Sequence, residues 1–168
     1  MRIAEFHVDG FGRLSNLSMT DVPPGLSIVL GQNEAGKTTL LEFLRFVLFG
    51  LPARKQKDFY PPLQGGRKGG RIVLRNEQSE RFIVERCEGK GNGPLTVTMP
   101  DGSQGGEEQF RQLIGSATDE LYRSVFAFSL SELQRFDSLQ TEKVRDAIYS
   151  AGIGTGRRTI PQVLQDLK

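Results

Sequence analysis

Cysteine and histidine are almost missing from this chain: Cys87 and His7 are single occurrences among 168 residues. A lone cysteine excludes an internal disulfide and any metal site built on paired cysteines, and it suits a reducing cytoplasm. A lone histidine cannot form a catalytic or metal-binding pair, and His7 alternates with apolar neighbours as a structural or solvent-facing residue does. A surplus of one charge is also lacking. Twenty-two basic residues face 20 acidic ones, so the net charge of +2 does not mark a nucleic-acid binder, although a local basic cluster remains open. Long hydrophobic runs are absent too. The longest apolar-rich stretch, Leu40 to Leu51, is broken by Glu42 and Arg45 and is too short for a bilayer. The opening MRIAEFHVDGFGRL has no apolar core of signal-peptide length. The expectation is a cytoplasmic chain with no membrane partner. A hydrophobic fraction of 37% and a charged fraction of 25% are those of one ordinary globular domain.

What is present is punctuated clearly. Residues 2–8 alternate as a strand with Ile3, Phe6 and Val8 turned to the core, Gly10-Phe11-Gly12 marks a bend, and Leu14–Met19 is a second short strand. Val22-Pro23-Pro24-Gly25 is a stop. Leu26–Leu30 is almost uniformly apolar, the pattern of a buried strand. From Lys37 the period becomes helical, and Leu40, Leu41, Phe43, Leu44, Phe46, Val47, Leu48 and Phe49 cover most of the circumference. Such a helix is central, and Gly50 and Pro52 end it. Residues 53–70 read as a long, flexible basic loop rich in glycine and proline. Arg71–Asn76, Arg81–Glu88 and Leu95–Met99 then alternate as an antiparallel meander, with a turn at Asp101-Gly102. Beyond Gly105 the chain is mostly helical, with candidates at 107–114, 118–124, 131–136, 141–150 and 160–168.

Between the apolar run and the helix stands Gly31-Gln32-Asn33-Glu34-Ala35-Gly36-Lys37-Thr38, which matches G-x-x-x-x-G-K-[ST] in the context that pattern requires. Glycines let the backbone wind tightly enough for successive N–H groups to form an anion nest. The helix N-terminus adds partial positive charge. Lys37 suits the β- and γ-phosphates, and the Thr38 hydroxyl suits Mg²⁺. This is a nucleotide site, with Thr39 extending it. The guanine-reading N-K-x-D pattern is absent, which favours ATP. Arg13, in the bend after the first strand, reads either as a ligand of the phosphates or base or as a solvated turn residue.

Hydrolysis in this class calls for an apolar strand ending in acidic residues. No run of four apolar residues followed by Asp-Glu or Asp-Asp occurs here; Thr96–Asp101 comes nearest, and Pro100 makes it a strand end. Either this is a fragment or its acidic residues come from another chain. A stand-alone small-molecule kinase or GTPase would need such a residue and an acceptor site within these 168 residues, and neither is seen.

The loop Gly31–Thr39, with Asn33 inside it and Leu48-Phe49-Gly50 closing the helix, resembles the SMC/SbcC group of ATPases, ABC-type heads interrupted by long coiled coils. Tyr60-Pro61-Pro62-Leu63, Gly65–Arg71 and Val125–Gln134 resemble its YhaN-like branch, so that the whole chain corresponds to the N-terminal lobe of such a head. The resemblance implies an α/β P-loop fold with a mixed sheet around a central helix, an antiparallel β lobe and a helical C-terminal part. It implies that the acidic strand and signature motif follow a coiled coil entered at residues 160–168, and that two heads sandwich two ATP molecules with Mg²⁺. By the same analogy Lys37 and Asn33 serve catalysis, Asn33 touching the γ-phosphate or the water. The Mg²⁺-ligating glutamine of the group aligns with Ser129 here, and Gln134 is the nearest glutamine. Action on DNA in repair or maintenance, with a nuclease subunit, is implied by resemblance alone. An ATP-dependent dimerisation module without turnover is the alternative. Leu63-Gln64-Gly65-Gly66-Arg67 echoes the LSGGQ signature but lacks its serine and runs into a strand.

Arg54, Lys55, Lys57, Arg67, Lys68 and Arg71 gather within eighteen residues. They form either a solvated loop or a DNA phosphate-contact surface. The glycine pairs 65–66 and 69–70 point to fixed turn geometry or close backbone approach.

Overall fold

Why the first strand turns where it does follows from Gly12. At φ +55° it occupies a left-handed conformation that favours glycine, and with Arg13 it makes a two-residue connection that pairs Phe11 with Leu14. In the computed structural model, which describes residues 1–51, 59–91, 93–115, 117–119 and 122, this hairpin joins β1 (Arg2–Phe11) to β2 (Leu14–Met19). The other elements are α1 (Lys37–Phe49), β3 (Gly69–Arg75), β4 (Arg81–Cys87), β5 (Leu95–Thr98), β6 (Gln104–Gly105) and α2 (Glu107–Ile114). The chain divides into two units, Met1–Gly115 and Ser116–Lys168, where the sequence reads one lobe. All of these elements lie in the first. In the second, the Tyr122 N–H donates to the Thr118 carbonyl at 2.8 Å, a helical bond within the expected 118–124 segment. The helix candidates from 131 onward, including the coiled-coil start at 160–168, lie outside the described residues, as do Ser129 and Gln134.

The strands form one six-stranded sheet in the order β2-β1-β3-β4-β5-β6. The expected meander (β3 to β5) is therefore continuous with the N-terminal hairpin instead of standing beside it. Every pairing among the described residues is antiparallel. Register irregularities between Ile3 and Glu5 and between Val8 and Gly10 bend β1 where it runs along β3.

The α1 helix lies on β1, β3 and β4. Its side chains Phe43, Phe46 and Val47 are buried, as are Val8, Phe11, Ile72 and Val84 of the strands it lies on. Phe11 meets Phe43 edge-on at 5.8 Å and stacks on Phe46 at 5.4 Å. Truncating any one of these aromatic rings would cost about 3–5 kcal/mol. The helix is central, as its apolar circumference predicts.

Three basic residues, Arg45, Lys68 and Arg86, are buried, which hydrophobic periodicity does not foresee; Arg45 pairs with Glu42 one helical turn away. Arg86 is 1% exposed and ties three elements together. Its Nε donates to the Val47 carbonyl at 3.0 Å, and its Nη1 donates to the Gly93 carbonyl at 3.2 Å and to Glu107 at 2.7 Å. A buried guanidinium is tolerable only when its donors are satisfied in this way. Lys68 is 2% exposed and donates to the Phe59 carbonyl. Its position removes Lys68 from any DNA-contact surface. Arg54, Lys55 and Lys57 lie outside the described residues.

One expected element is overturned. Leu26–Leu30 forms no strand, and Leu26 and Leu30 are 88% and 87% exposed. An apolar run encodes the wish to be buried but not the partner, and a strand exists only through hydrogen bonds to a neighbour. Among the described residues no strand pairs with this segment.

Cys87 ends β4 with a buried side chain, and burial pushes its thiol pKa up. The thiolate is the reactive form, so both access and ionisation are suppressed. The expected outcome is no maleimide labelling of the native chain at neutral pH and labelling of its one thiol in denaturant, counted by mass spectrometry. Rapid native labelling would show that β4 opens readily.

Candidate nucleotide-binding site

The loop Gly31–Gly36 reaches the helix through two left-handed residues, Glu34 at φ +66° and Gly36 at φ +101°. For glutamate that conformation is uncommon; it survives because the fold around it fixes the backbone. Ala35 N–H closes a turn on the Gln32 carbonyl at 3.2 Å, and Leu40 N–H makes the first helical bond to Gly36 at 2.8 Å. The α1 N-terminus has no side-chain cap and no acidic residue in its first turn. Its leading N–H groups and dipole thus face the loop without internal competition for an anion.

Lys37 folds back across the loop. Its Nζ donates to the carbonyls of Gly31 at 2.6 Å and Gln32 at 2.8 Å. The ammonium is thereby held over the nest instead of swinging in solvent. Arg13 comes from the β1–β2 turn, and its stem lies against the loop: a Cβ placed on Gly36 would stand 3.4 Å from Arg13 Cδ and 3.0 Å from Leu14 Cδ2. The structure therefore puts Arg13 at the loop and not in a remote turn.

These residues open onto a pocket of about 700 Å³. Of the predicted residues, Arg13, Asn33, Glu34, Gly36, Lys37, Thr38 and Thr39 line it. Gly31 and Gln32 contribute the carbonyls that hold Lys37, and Ala35 packs its methyl where a Cβ on Gly31 would fall, 3.0 Å away. Thr39 is buried and lies close to Gly12.

The remaining lining was not expected from the sequence: Gly12, Tyr60, Pro61 and Leu63. Gly12 is the hinge. Its N–H donates to the Tyr60 carbonyl at 3.0 Å, and its carbonyl accepts from Leu63 N–H at 2.8 Å. Tyr60 stacks on Phe11 with ring centroids 5.1 Å apart. Burial and the charge of Glu42 raise the Tyr60 pKa, and Arg45 opposes them. The hydroxyl stays neutral. The signal that could have located this wall is the bend at Gly10–Gly12 itself, which needed a packing partner for its exposed backbone groups.

The residues present fit a triphosphate with its metal. They supply an uncapped helix N-terminus, a held ammonium, a guanidinium stem and the Thr38 hydroxyl at one pocket. A loop of this sequence and geometry, feeding a helix packed on a sheet, defines a P-loop NTPase of the α/β class. The chain matches the AAA domain family AAA_27 over residues 1–168 and belongs to it. It is 28% identical over 153 residues to the uncharacterized protein YhaN of Bacillus subtilis (strain 168), covering 91% of this chain but only 16% of that protein's length. A solved chain from work on the structural biochemistry of ATP-driven dimerization and DNA stimulated activation of SMC ATPases superposes with a TM-score of 0.58 at 15% identity. The superposition covers 86% of this chain and 96% of that one. The fold is that of an SMC-like AAA N-terminal lobe.

Proposed function

We propose that this chain is the ATP-binding lobe of an SMC/SbcC-like ATPase head that engages a second head and acts on DNA in repair or maintenance within the cytoplasm. The observation that carries the reading is the convergence of Lys37, Arg13 and the uncapped α1 N-terminus on one pocket. The backbone nest and Lys37 bind the phosphates, and Arg13, whose stem lies against the loop at Gly36, adds charge beside them. Asn33 is positioned in the loop to orient the terminal phosphate or a water. Thr38 would hold Mg²⁺, whose role when bound is to neutralise charge on the phosphate oxygens.

Hydrolysis needs an apolar strand ending in acidic residues, a pattern not found in these 168 residues, and we assign it to a C-terminal lobe. Two observations support that assignment: the exposed apolar segment Leu26–Leu30 leads straight into the loop, and the chain spans 16% of the length of YhaN. A nuclease subunit is a further partner of the assembled head.

Calorimetric titration of Mg²⁺-ATP into the chain, followed by phosphate release with and without the C-terminal lobe added in trans, tests the reading. Saturable binding with release only in the restored assembly is expected. An ATP-dependent dimer that still releases no phosphate would make the chain a scaffolding module instead. Absence of ATP binding in both preparations would overturn the proposal.

A further inference from the structure

A lone histidine has no second imidazole to pair with, yet His7 meets a hydroxyl and a carboxylate at once. Its Nδ1 lies 2.6 Å from Ser18 Oγ, and its Nε2 lies 3.1 Å from Asp9 Oδ1. The strand register brings the three together. His7 and Ser18 stand directly opposite each other in β1 and β2, so their side chains share one face of the sheet. Asp9 follows His7 by two residues, the spacing that keeps side chains of a strand on one side. This is the face away from α1. The neighbouring Val8 is buried in the core, and Gly70, its partner in β3, abuts Phe43 of the helix.

The carboxylate decides where the ring proton of the neutral imidazole sits. An ionised carboxylate only accepts, so Nε2 carries the proton and donates it to Asp9. Nδ1 is left with a lone pair, and the Ser18 hydroxyl donates to it. A hydroxyl bonded to a base, with the base oriented by a third group, is the arrangement of an activated nucleophile. The hydroxyl is also open to attack. β2 is the outermost strand of the sheet, and Ser18 is exposed. On the other side of β1, Arg71 of β3 stands opposite His7 and is exposed on the same face, adding a positive charge beside the base. Ser103 provides the contrast. It is exposed, and its hydroxyl donates to Asp101 at 2.6 Å, but no imidazole is involved. The hydrogen bonds from Ser103 hold the Asp101 carboxyl below its usual pKa, which makes it a poor base.

We infer that Ser18 is a modification site, acylated by small anionic acyl donors with His7 as the general base and Asp9 as its positioning residue. The donor class follows from the surroundings. An open sheet face has no pocket to grip a large substrate, and Arg71 favours a compact anion such as an acyl phosphate. In the step, Ser18 Oγ forms a bond to the acyl carbon. The bond from that carbon to the phosphate oxygen breaks, and its electron pair leaves with phosphate. The hydroxyl proton passes to His7 Nδ1 and from there to the released phosphate. The products are an ester on Ser18 and inorganic phosphate. The ester removes the donor that joins Ser18 to His7, in the hairpin whose turn carries Arg13. The inference does not depend on the nucleotide reading.

Acetyl phosphate is the probe, incubated with the whole chain and followed by site-resolved mass spectrometry. Hydroxylamine separates serine esters, which it cleaves, from lysine amides. General-base assistance is typically about 10²–10⁴-fold, and on a face open to water about tenfold faster acetylation of Ser18 than of Ser103 is expected. His7→Gln should bring Ser18 down to the Ser103 rate. Asp9→Asn should do the same, because an amide donating to Nε2 puts the ring proton on Nδ1, and Asp9→Glu should restore most of the rate. Ser103 reports from the same molecule, so unfolding of a variant moves both rates together and cannot imitate this pattern. The wild-type ratio needs no variant at all. Equal rates at Ser18 and Ser103 in the wild-type chain overturn the inference, as does a Ser18 rate in His7→Gln equal to that of the wild type. Asp9→Asn reacting as fast as the wild type overturns the part assigned to Asp9.

Discussion

Lys37→Ala is expected to weaken Mg²⁺-ATP binding by about 10- to 100-fold while leaving the fold intact. The magnitude follows from removing one charge-assisted contact to phosphate, about 1.5–3 kcal/mol, from a site whose backbone N–H groups remain. The fold is spared because Lys37 is exposed and its two internal acceptors, the carbonyls of Gly31 and Gln32, remain open to water when the ammonium is gone. Those same bonds explain why Lys37→Arg should not rescue binding. The ammonium reaches both carbonyls as a compact point charge, and a planar guanidinium cannot take its place in so tight a loop. Raising the salt concentration should weaken the wild-type chain more than the alanine variant, since one favourable charge has been deleted. Calorimetry at two ionic strengths, with thermal unfolding as the control, makes the measurement. Equal affinities for the two chains would remove Lys37 from the site and with it the functional reading.

How much of this was legible in the sequence depends on the range of the interaction that encodes it. The loop is local: Gly31 to Thr38 carry their own backbone geometry and their own helix start, so motif and neighbouring pattern were enough to place them. The strands β1 to β5 were legible for the same reason, through period-two alternation and turn residues. Arg13 was legible as a candidate but not as an assignment, because only the packing of its stem on Gly36 puts it at the loop. The pocket wall at Tyr60, Pro61 and Leu63 was hidden. Tyr60 and Leu63 reach the pocket through hydrogen bonds to Gly12, across nearly fifty residues of chain, and nothing in residues 59–63 names that partner. Basic residues misled in the opposite direction. Lys68 belongs by sequence to a solvated cluster, yet it is buried, and burial lowers its pKa against the pull of Glu88. Leu26–Leu30 shows the remaining limit. Its apolar character suggested a buried strand, yet Leu26 and Leu30 stand exposed, because apolar composition alone supplies no hydrogen-bonded neighbour.

The glycine pairs supply the second large effect, and they separate two meanings of the same residue. At Gly65 and Gly66, φ is +76° and +91°, and a Cβ would meet nothing within 4 Å, so these glycines serve turn geometry alone. At Gly70, φ is +155° and a Cβ would fall 2.1 Å from the His7 carbonyl oxygen and 2.9 Å from Phe43 Cζ. Neither obstacle can yield cheaply. His7 is backbone in β1, and Gly70 sits between Val8 on one side and Arg86 on the other, in the interior of the sheet. Phe43 is pinned in the core by Phe11. Gly70→Ala must therefore push β1 away from β3 or displace α1, and either movement opens the core that carries the nucleotide loop. The expected cost is about 3 kcal/mol or more, a large share of the roughly 5–15 kcal/mol that stabilises a domain. Gly65→Ala should cost only about 1–2 kcal/mol, the penalty of a left-handed alanine in open space. Urea unfolding of both variants decides the matter: a Gly70→Ala midpoint no lower than that of Gly65→Ala would mean that β1 and β3 are not packed as closely as the sheet requires. Because α1 rests on that pair of strands, Gly70→Ala should also lose ATP binding in proportion to the unfolded fraction, whereas Lys37→Ala loses it with the fold intact.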